Sequence, residues 1–377
     1  PGFEVIGTTK DCPFAALQDL ERRRFSLQCH CEVKDTPEGN RIFENFAKIC
    51  KMEKNWDEDT VLNHILEGIK EDAKDKNVLL FLSGGVDSTV AFALLNKALG
   101  QDRVLGLHID NGFMRKNESA QVAEAYHSHG FTNFIVEDAS ESFLKAVEGL
   151  TDPQKKRMAV GENFITVRNE VVARQKLDED KWMLAQGTLY PDIIESGGTK
   201  NSHVIKTHHN RVDGIQKLIA KGLIIEPLKD LYKDEVRAIG KKLGLDDKLV
   251  MRHPFPGPGL GIRIIGEVTA EKVRIVQDAD YIYRTELAEA GLTKLPDQYF
   301  AALSNMRSVG VMGDERTYDY AVVLRAVETV DFMTAEASEI PFEVLQRVMS
   351  RIINEVKGVN RVMYDLTSKP PGTVEME

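Results

Sequence analysis

Cysteine stops at residue 50. All four, Cys12, Cys29, Cys31 and Cys50, lie in the first fifty of 377 residues, so no disulfide framework can hold the chain as a whole. The Cys29-His30-Cys31 cluster lacks the C-x-x-C spacing of zinc motifs, and reduced thiols in and near a buried strand are the simpler reading. Long apolar runs are missing as well. Stretches such as Val78 to Leu82 fall far short of the roughly 20 residues of a membrane span, and the N-terminus has no charged-then-apolar signal segment. There is no excess of cations: Lys plus Arg number 49 against 59 Asp plus Glu, a net charge of −10, which counts against a protein that coats nucleic acid or an anionic membrane. Local basic pockets stay open. With no internal repeat or low-complexity segment, the expectation is a soluble, cytoplasmic chain of two or three domains, at roughly 100 to 200 residues each.

What is present is a patterned globular sequence. Residues 1 to 50 read as short strands, Gly2 to Ile6 and Arg24 to Gln28, and a helix around Arg41 to Ile49, too little to close a core alone. From residue 57 helix and strand alternate: Glu58 to Lys70, Val78 to Leu82, Ser88 to Leu99, Val104 to Ile109, Glu118 to His129 and Phe134 to Val136. That alternation predicts an α/β fold with a doubly wound parallel sheet. In the helix from Ser88, residues Val90, Ala91, Leu94, Leu95 and Ala98 repeat at three- and four-residue spacing, and Gly100 stands where a left-handed cap belongs. The segment His253 to Gly261 carries three prolines and three glycines, which predicts a domain junction. Beyond it a small α+β domain is expected: helix Glu267 to Gly291, strands Ser308 to Met312 and Tyr320 to Ala326, helix Pro341 to Val356, and strand Arg361 to Leu366.

The strongest chemical signal is Ser83-Gly84-Gly85-Val86-Asp87-Ser88, set between an apolar strand and a helix. Two glycines permit a tight turn that aims N–H groups and a helix N-terminus at a phosphate, with serine hydroxyls as further donors. A carboxylate beside bound phosphate is repelled unless a divalent cation lies between them, so Asp87 points to Mg²⁺. The Gly-Lys-Ser/Thr of the Walker loop is absent, which argues against γ-phosphate transfer. The plainer alternative is a strand-to-helix turn with Asp87 or Ser88 as N-cap.

The hexapeptide resembles the pyrophosphate loop of the ATP pyrophosphatases, which split ATP between the α- and β-phosphates. More of the chain resembles the GMP synthetase family in one continuous order: His108-Ile109-Asp110-Asn111-Gly112, Ala185 to Asp192, Ile205-Lys206-Thr207-His208-His209-Asn210, Glu226-Pro227-Leu228-Lys229, Arg252 to Gly261, Arg307 to Asp314 and Lys369 to Glu375. This resemblance implies ATP-dependent adenylation of XMP at its C2 oxygen with release of pyrophosphate, then amination to GMP and AMP. It implies an ATP site of Ser83, Gly84, Gly85, Val86, Asp87, Ser88 and Thr89, with adenine against Ile109 and Phe164, although core burial explains those two equally well. It further implies a lid over about 190 to 230 flanked by the catalytic lysines Lys206 and Lys229, with Lys229 stabilising charge on the α-phosphate as pyrophosphate leaves; a lone lysine is otherwise a solvated charge. Arg157, Lys369, Thr373 and Glu375 are implied for XMP, against the alternatives of a solvated basic run and a frayed anionic terminus. A metal pair at His208 and His209 is disfavoured, since neighbours on a strand point to opposite faces.

Residues 1 to 50 resemble the tail end of a glutamine amidotransferase domain, in which His30 would activate a cysteine nucleophile and Glu32 orient the imidazole. None of the four cysteines stands in a Gly-x-Cys turn between strand and helix, so ammonia is the expected nitrogen donor for this sequence, with glutamine serving a complete enzyme. The implied layout is 1–50 amidotransferase remnant, 51–252 ATP pyrophosphatase domain, and 253–377 a domain for XMP binding and homodimer formation. Two rivals stay in view. A tRNA-adenylating enzyme would want a basic groove or catalytic cysteines beyond residue 50, and a nucleotide-sensing module would tolerate loss of Asp87 or Lys229.

Overall fold

A computed structural model of the chain describes residues 2–33, 36–53, 55, 57–177, 180–190, 223–246, 249, 255–329 and 333–377. The chain divides into two compact units, Pro1–Val61 and Leu62–Glu377. In the first, strands β1 (Glu4–Gly7), β2 (Ala16–Asp19) and β3 (Arg24–Leu27) pair antiparallel in that order, and helix α1 (Gly39–Ile49) follows. Strand β2 has no alternating signature of its own and owes its conformation to the partner on each side. Phe43, Phe46 and Ile49, the apolar stripe of α1, are exposed.

After α2 (Glu58–Ala73), the second unit lays down β4 (Asn77–Phe81), α3 (Val86–Leu99), β5 (Val104–Asp110), α4 (Glu118–Ser128), β6 (Phe134–Asp138), α5 (Ser140–Ala146), α6 (Pro153–Arg174), β7 (Trp182–Ala185), β8 (Ile224–Ile225) and α7 (Lys233–Lys242). The five strands are all parallel, in the order β6-β5-β4-β7-β8. Val78, Leu79 and Leu80 of β4 are buried, as a central strand covered on both faces requires. The chain runs outward from β4 to β6 and returns on the other side of β4 at β7. Such a reversal opens a crevice at the carboxyl ends of the two strands, where sheets of this kind bind ligands.

Predicted and observed elements agree closely as far as β6, with two instructive differences. Gly100 has φ 83°, which favours glycine, but ψ 158° makes it extended rather than left-handed helical, and the chain passes into a 3-10 turn, Gln101–Arg103. Helix α6 (22 residues) was not foreseen, although Val160, Phe164, Val167 and Val171 recur at helical spacing behind the buried Lys156; its start was legible too, since the Asp152 side chain accepts from Lys155 N at 2.8 Å and proline opens the helix. The expected junction at 252/253 lies outside the described residues. Just after it, the 3-10 segment Gly259–Arg263 presses on the loop after β5: a Cβ at Gly259, φ +64°, would stand 2.4 Å from Phe113 O.

The second sheet is built on a long hairpin of β9 (Gln298–Met312) and β10 (Glu315–Glu328), to which β11 (Glu336–Ala337) adds antiparallel and β12 (Val359–Tyr364) parallel. Of the two strands expected from sequence, Ser308 to Met312 is the outer part of β9 and Tyr320 to Ala326 the buried inner part of β10; the inner part of β9 that pairs with it, such as Phe300 to Leu303, was not foreseen and is buried without alternation. Helices α8 (Ala270–Glu289) and α9 (Phe342–Glu355) cover the sheet through Ile275, Tyr283, Leu287, Val348 and Ile352. Among the described residues no helix is long and apolar enough to cross a membrane.

Candidate active site

At the end of β4 the chain turns through Gly84, φ +73°, a conformation that favours glycine. Gly85 then N-caps α3, which has no side-chain cap. An N-terminus left this way presents backbone N–H groups and the positive end of the dipole to an anion. The Ser83 and Ser88 hydroxyl oxygens are 3.0 Å apart, and Gly85 N donates to Ser83 Oγ at 3.2 Å. Asp87 is not the N-cap. Both of its carboxylate oxygens lie 2.6 Å from Lys233 Nζ, on the first residue of α7. The loop after β7 approaches so closely that a Cβ on Gly187 would meet the Asp87 carbonyl carbon at 3.2 Å and Ser88 N at 3.3 Å.

These elements enclose a cavity of about 410 Å³. Phe81, Leu107, Ile109, Val160, Phe164 and Leu184 form apolar wall, and the Ser83-Gly84-Gly85 turn, Asp87, Lys233, Arg237, Arg115 and Glu118 form polar wall. The core reading of Ile109 and Phe164 holds, since Ile109 is buried in the core and Phe164 packs edge-on to Phe143 with ring centroids 4.6 Å apart, and both also line the cavity. An apolar slot continuous with an anion-binding loop fits a flat base joined to phosphates.

Sequence reasoning missed Lys233 and Arg237. They stand four residues apart on one face of α7, so both reach the same cavity. A signal existed: a cation at the first position of a helix opposes the macrodipole, and such local rule-breaking marks function more often than accident. Lys229, by contrast, is exposed in the turn before α7, with its N–H donating to Glu226 O at 3.3 Å, and is not among the cavity walls. Lys206, His208, His209 and most of the expected lid lie outside the described residues. Arg115, also missed, is buried beside Glu118 (3.5 Å) with its guanidinium 4.4 Å from the Phe255 ring centroid. Burial first, and the charge of Arg284 next, lower its pKa to about 10, so it is a cation at neutral pH.

The residues implied for XMP gather around the C-terminal segment rather than the cavity. Glu375 is no frayed terminus: it accepts from Arg263 Nε and Nη2, both at 2.9 Å, and from Gln298 Nε2 at 2.6 Å. Arg157 donates to Glu377 O. The neighbouring Lys156 is buried, ion-paired with Glu377, and donates to Ile264 O (2.8 Å) and Gly266 O (2.9 Å). Thr373 donates from Oγ1 to Glu375 O at 2.5 Å. Lys369 is pinned by its backbone, with N–H to Ala335 O at 2.7 Å and O from Ala335 N at 3.0 Å, ahead of two cis peptide bonds to Pro370 and Pro371.

In the first unit, His30 Nδ1 and Glu32 Oε1 are 2.7 Å apart, the pairing expected from sequence. The hydrogen bond from His30 is the main cause that holds the Glu32 carboxyl below its ordinary value. The pair is stabilising above the usual carboxylate range and fades as pH falls through the lowered value. Carbon-13 NMR of Glu32 should therefore show a depressed titration that returns to normal in His30→Gln; an unchanged curve in that variant would remove the pair.

Residues 285–376 match the family model for the GMP synthase C-terminal domain, and residues 60–176 match that for NAD synthase. The whole chain aligns with proteins described as glutamine-hydrolysing GMP synthase. One from Agathobacter rectalis is 54% identical over 391 residues, covering 74% of the relative's length. One from Lachnospira eligens is 52% identical over 390 residues (74%), and one from Clostridium botulinum strain Alaska E43 is 52% identical over 379 residues (73%).

Proposed function

Because this chain belongs to the GMP synthase family, we propose that it makes GMP from XMP and ATP in two steps, with the cavity at the end of β4 and β7 as the ATP site. The observation that carries this reading is an uncapped, glycine-turned helix N-terminus opening on an apolar slot, in a chain alignable along its full length with these synthases. Adenine lies against Ile109 and Phe164, and the phosphates lie over Ser83 to Thr89. The XMP C2 oxygen attacks the α-phosphorus, the bond to the α–β bridging oxygen breaks, and pyrophosphate leaves with the electron pair. Ammonia then adds at C2, and AMP departs to give GMP.

Asp87 suits a divalent cation: it is a hard oxygen donor beside the phosphate seat, and the Lys233 ammonium that it meets at 2.6 Å is 40% exposed. Mg²⁺ held there would neutralise β- and γ-phosphate charge. Lys233 and Arg237 supply fixed positive charge at the same end, and Lys206 and Lys229 complete the cationic set around the α-phosphate. XMP is held by Arg157, Lys369, Thr373 and Glu375. In the layout proposed, residues 1–50 belong to an amidotransferase domain, 51–252 to the ATP pyrophosphatase domain and 253–377 to the XMP-binding domain. A homodimer through that last domain is supported by Val309, Val311 and Tyr318, which leave 56, 73 and 62% of their surface exposed on the hairpin. A cytoplasmic setting suits an acidic chain acting on nucleotides.

The test is pyrophosphate release and GMP formation with ATP, Mg²⁺ and XMP, ammonium and glutamine being supplied separately. Product with ammonium is the expected result. Failure with ammonium, despite ATP binding, would overturn XMP as acceptor. Lys369→Ala should raise the KM for XMP roughly 10- to 100-fold, the scale of one charge-assisted hydrogen bond, and leave that for ATP nearly unchanged; equal rises would argue against the tail as the XMP phosphate site.

A further inference from the structure

The phosphate loop is short, and buried side chains hold it at both ends. At the helix end, Ser88 Oγ and Thr89 Oγ1 donate to Gly85 O at 3.1 and 2.8 Å, and Thr89 Oγ1 meets the Tyr126 hydroxyl at 3.0 Å. The strand end is held from outside the motif. The last paired residues of β4 and β5 are Phe81 and Leu107. Leu82 N still donates to Leu107 O at 2.9 Å, but Leu82 O, immediately before Ser83, is met by His108 Nδ1 at 2.6 Å.

A carbonyl can only accept, so Nδ1 carries the proton. In the neutral ring Nε2 is then an acceptor, and the Ser119 hydroxyl, 3.0 Å away in the first turn of α4, supplies the donor. His108 is 1% exposed and also borders the cavity. Two consequences follow from this arrangement. The imidazole replaces the backbone N–H that a longer ladder would offer, which satisfies the Leu82 carbonyl while the chain leaves the sheet and turns through Gly84. The Leu82 carbonyl sets the tautomer and Ser119 holds the other ring nitrogen, so the root of the phosphate loop is tied to the start of α4.

We infer that His108, oriented by Ser119, is a positioning residue for the phosphates of the nucleotide, acting through the Leu82 carbonyl on the loop that receives them. The inference rests on the ATP-site reading above and deepens it. The experiment compares the full chain with His108→Phe, His108→Asn and Ser119→Ala, measuring KM for ATP and for XMP with ammonium, ATP binding by calorimetry, and thermal unfolding. His108→Phe fills the ring's volume without its donor and should raise the KM for ATP about 10-fold, the scale of one buried carbonyl left unpaired, with KM for XMP within about twofold. His108→Asn places an amide N–H near the Nδ1 position and should recover most of the loss. Ser119→Ala should fall between the two, and nitrogen-15 NMR should show the Nδ1–H tautomer in the unaltered protein.

A folded His108→Phe with unchanged KM for ATP, equal rises for both substrates, or no recovery with asparagine would each overturn the inference. If His108→Phe does not fold, Ser119→Ala decides, and an unaltered KM for ATP in that variant overturns it. ATP binding that survives intact in Asp87→Ala would instead defeat the site itself, which keeps the two failures distinguishable.

Discussion

Asp87→Ala should reduce pyrophosphate release by roughly 10²- to 10³-fold or more, the loss that follows removal of one preorganised electrostatic group from a reaction centre. Its thermal unfolding should barely move. The carboxylate contacts Lys233 at 2.6 Å through both oxygens, but the side chains are 30 and 40% exposed, and pairs this open to water contribute at most about 1 kcal/mol. Nor does Asp87 cap α3, because Gly85 occupies that position. Through Lys233 or as a cap the carboxylate therefore contributes little to stability, and it stands beside a helix N-terminus, which favours negative charge. Pyrophosphate release followed by a coupled assay, with unfolding monitored in parallel, checks both parts. Full activity in the variant would eliminate the cation-bridging role.

Arg325→Met should have the largest effect on stability, a loss of about 3 to 5 kcal/mol, the range for breaking a buried charge pair. Arg325 is 1% exposed. Its Nε donates to Val374 O at 2.8 Å, Nη1 to Asp365 Oδ2 at 2.7 Å and Thr367 O at 3.0 Å, and Nη2 to Thr373 O at 2.7 Å. One planar fork thus fastens the end of β12 and the tail that carries Lys369, Thr373 and Glu375. Methionine fills the space but leaves Asp365 without this cation and three carbonyls without this donor. The loss is a large part of a typical total of about 5 to 15 kcal/mol, so the variant should unfold at lower denaturant and show a raised KM for XMP even where it remains folded. Arg325→Lys should rescue little, since an ammonium cannot match the fork. Denaturant titration gives the first quantity and initial rates the second; a loss of stability with unaltered KM for XMP would separate the tail's fastening from its binding role.

The parts of this protein legible in sequence are those whose cause is local. Strand β4, the Ser-Gly-Gly turn and α3 declare themselves within about twenty consecutive residues, because a buried run, a positive-φ glycine and a three-to-four periodicity each act over one turn or less. His30 and Glu32 lie two residues apart, and their contact needed little beyond the turn that holds them. The signals weaken as the partner recedes along the chain. Helix α6 buries Lys156 in line with Val160, Val167 and Val171, which blurs its apolar face, and the inner arm of β9 is buried on both faces, so it lacks the alternation that marks a strand.

What the amino-acid order determined alone was therefore the class of fold and the glycine turn that leads from β4 into α3. Tertiary structure alone decided that Asp87 faces Lys233, 146 residues away, that Glu375 belongs to Arg263, 112 residues back, and that His108 reaches Leu82 across 26. Nothing in the short-range preferences of either member of these pairs selects the other. They meet because parallel strands and packed helices bring distant segments together, and the loop-closure entropy of each meeting is offset by the whole core and not by the contact itself.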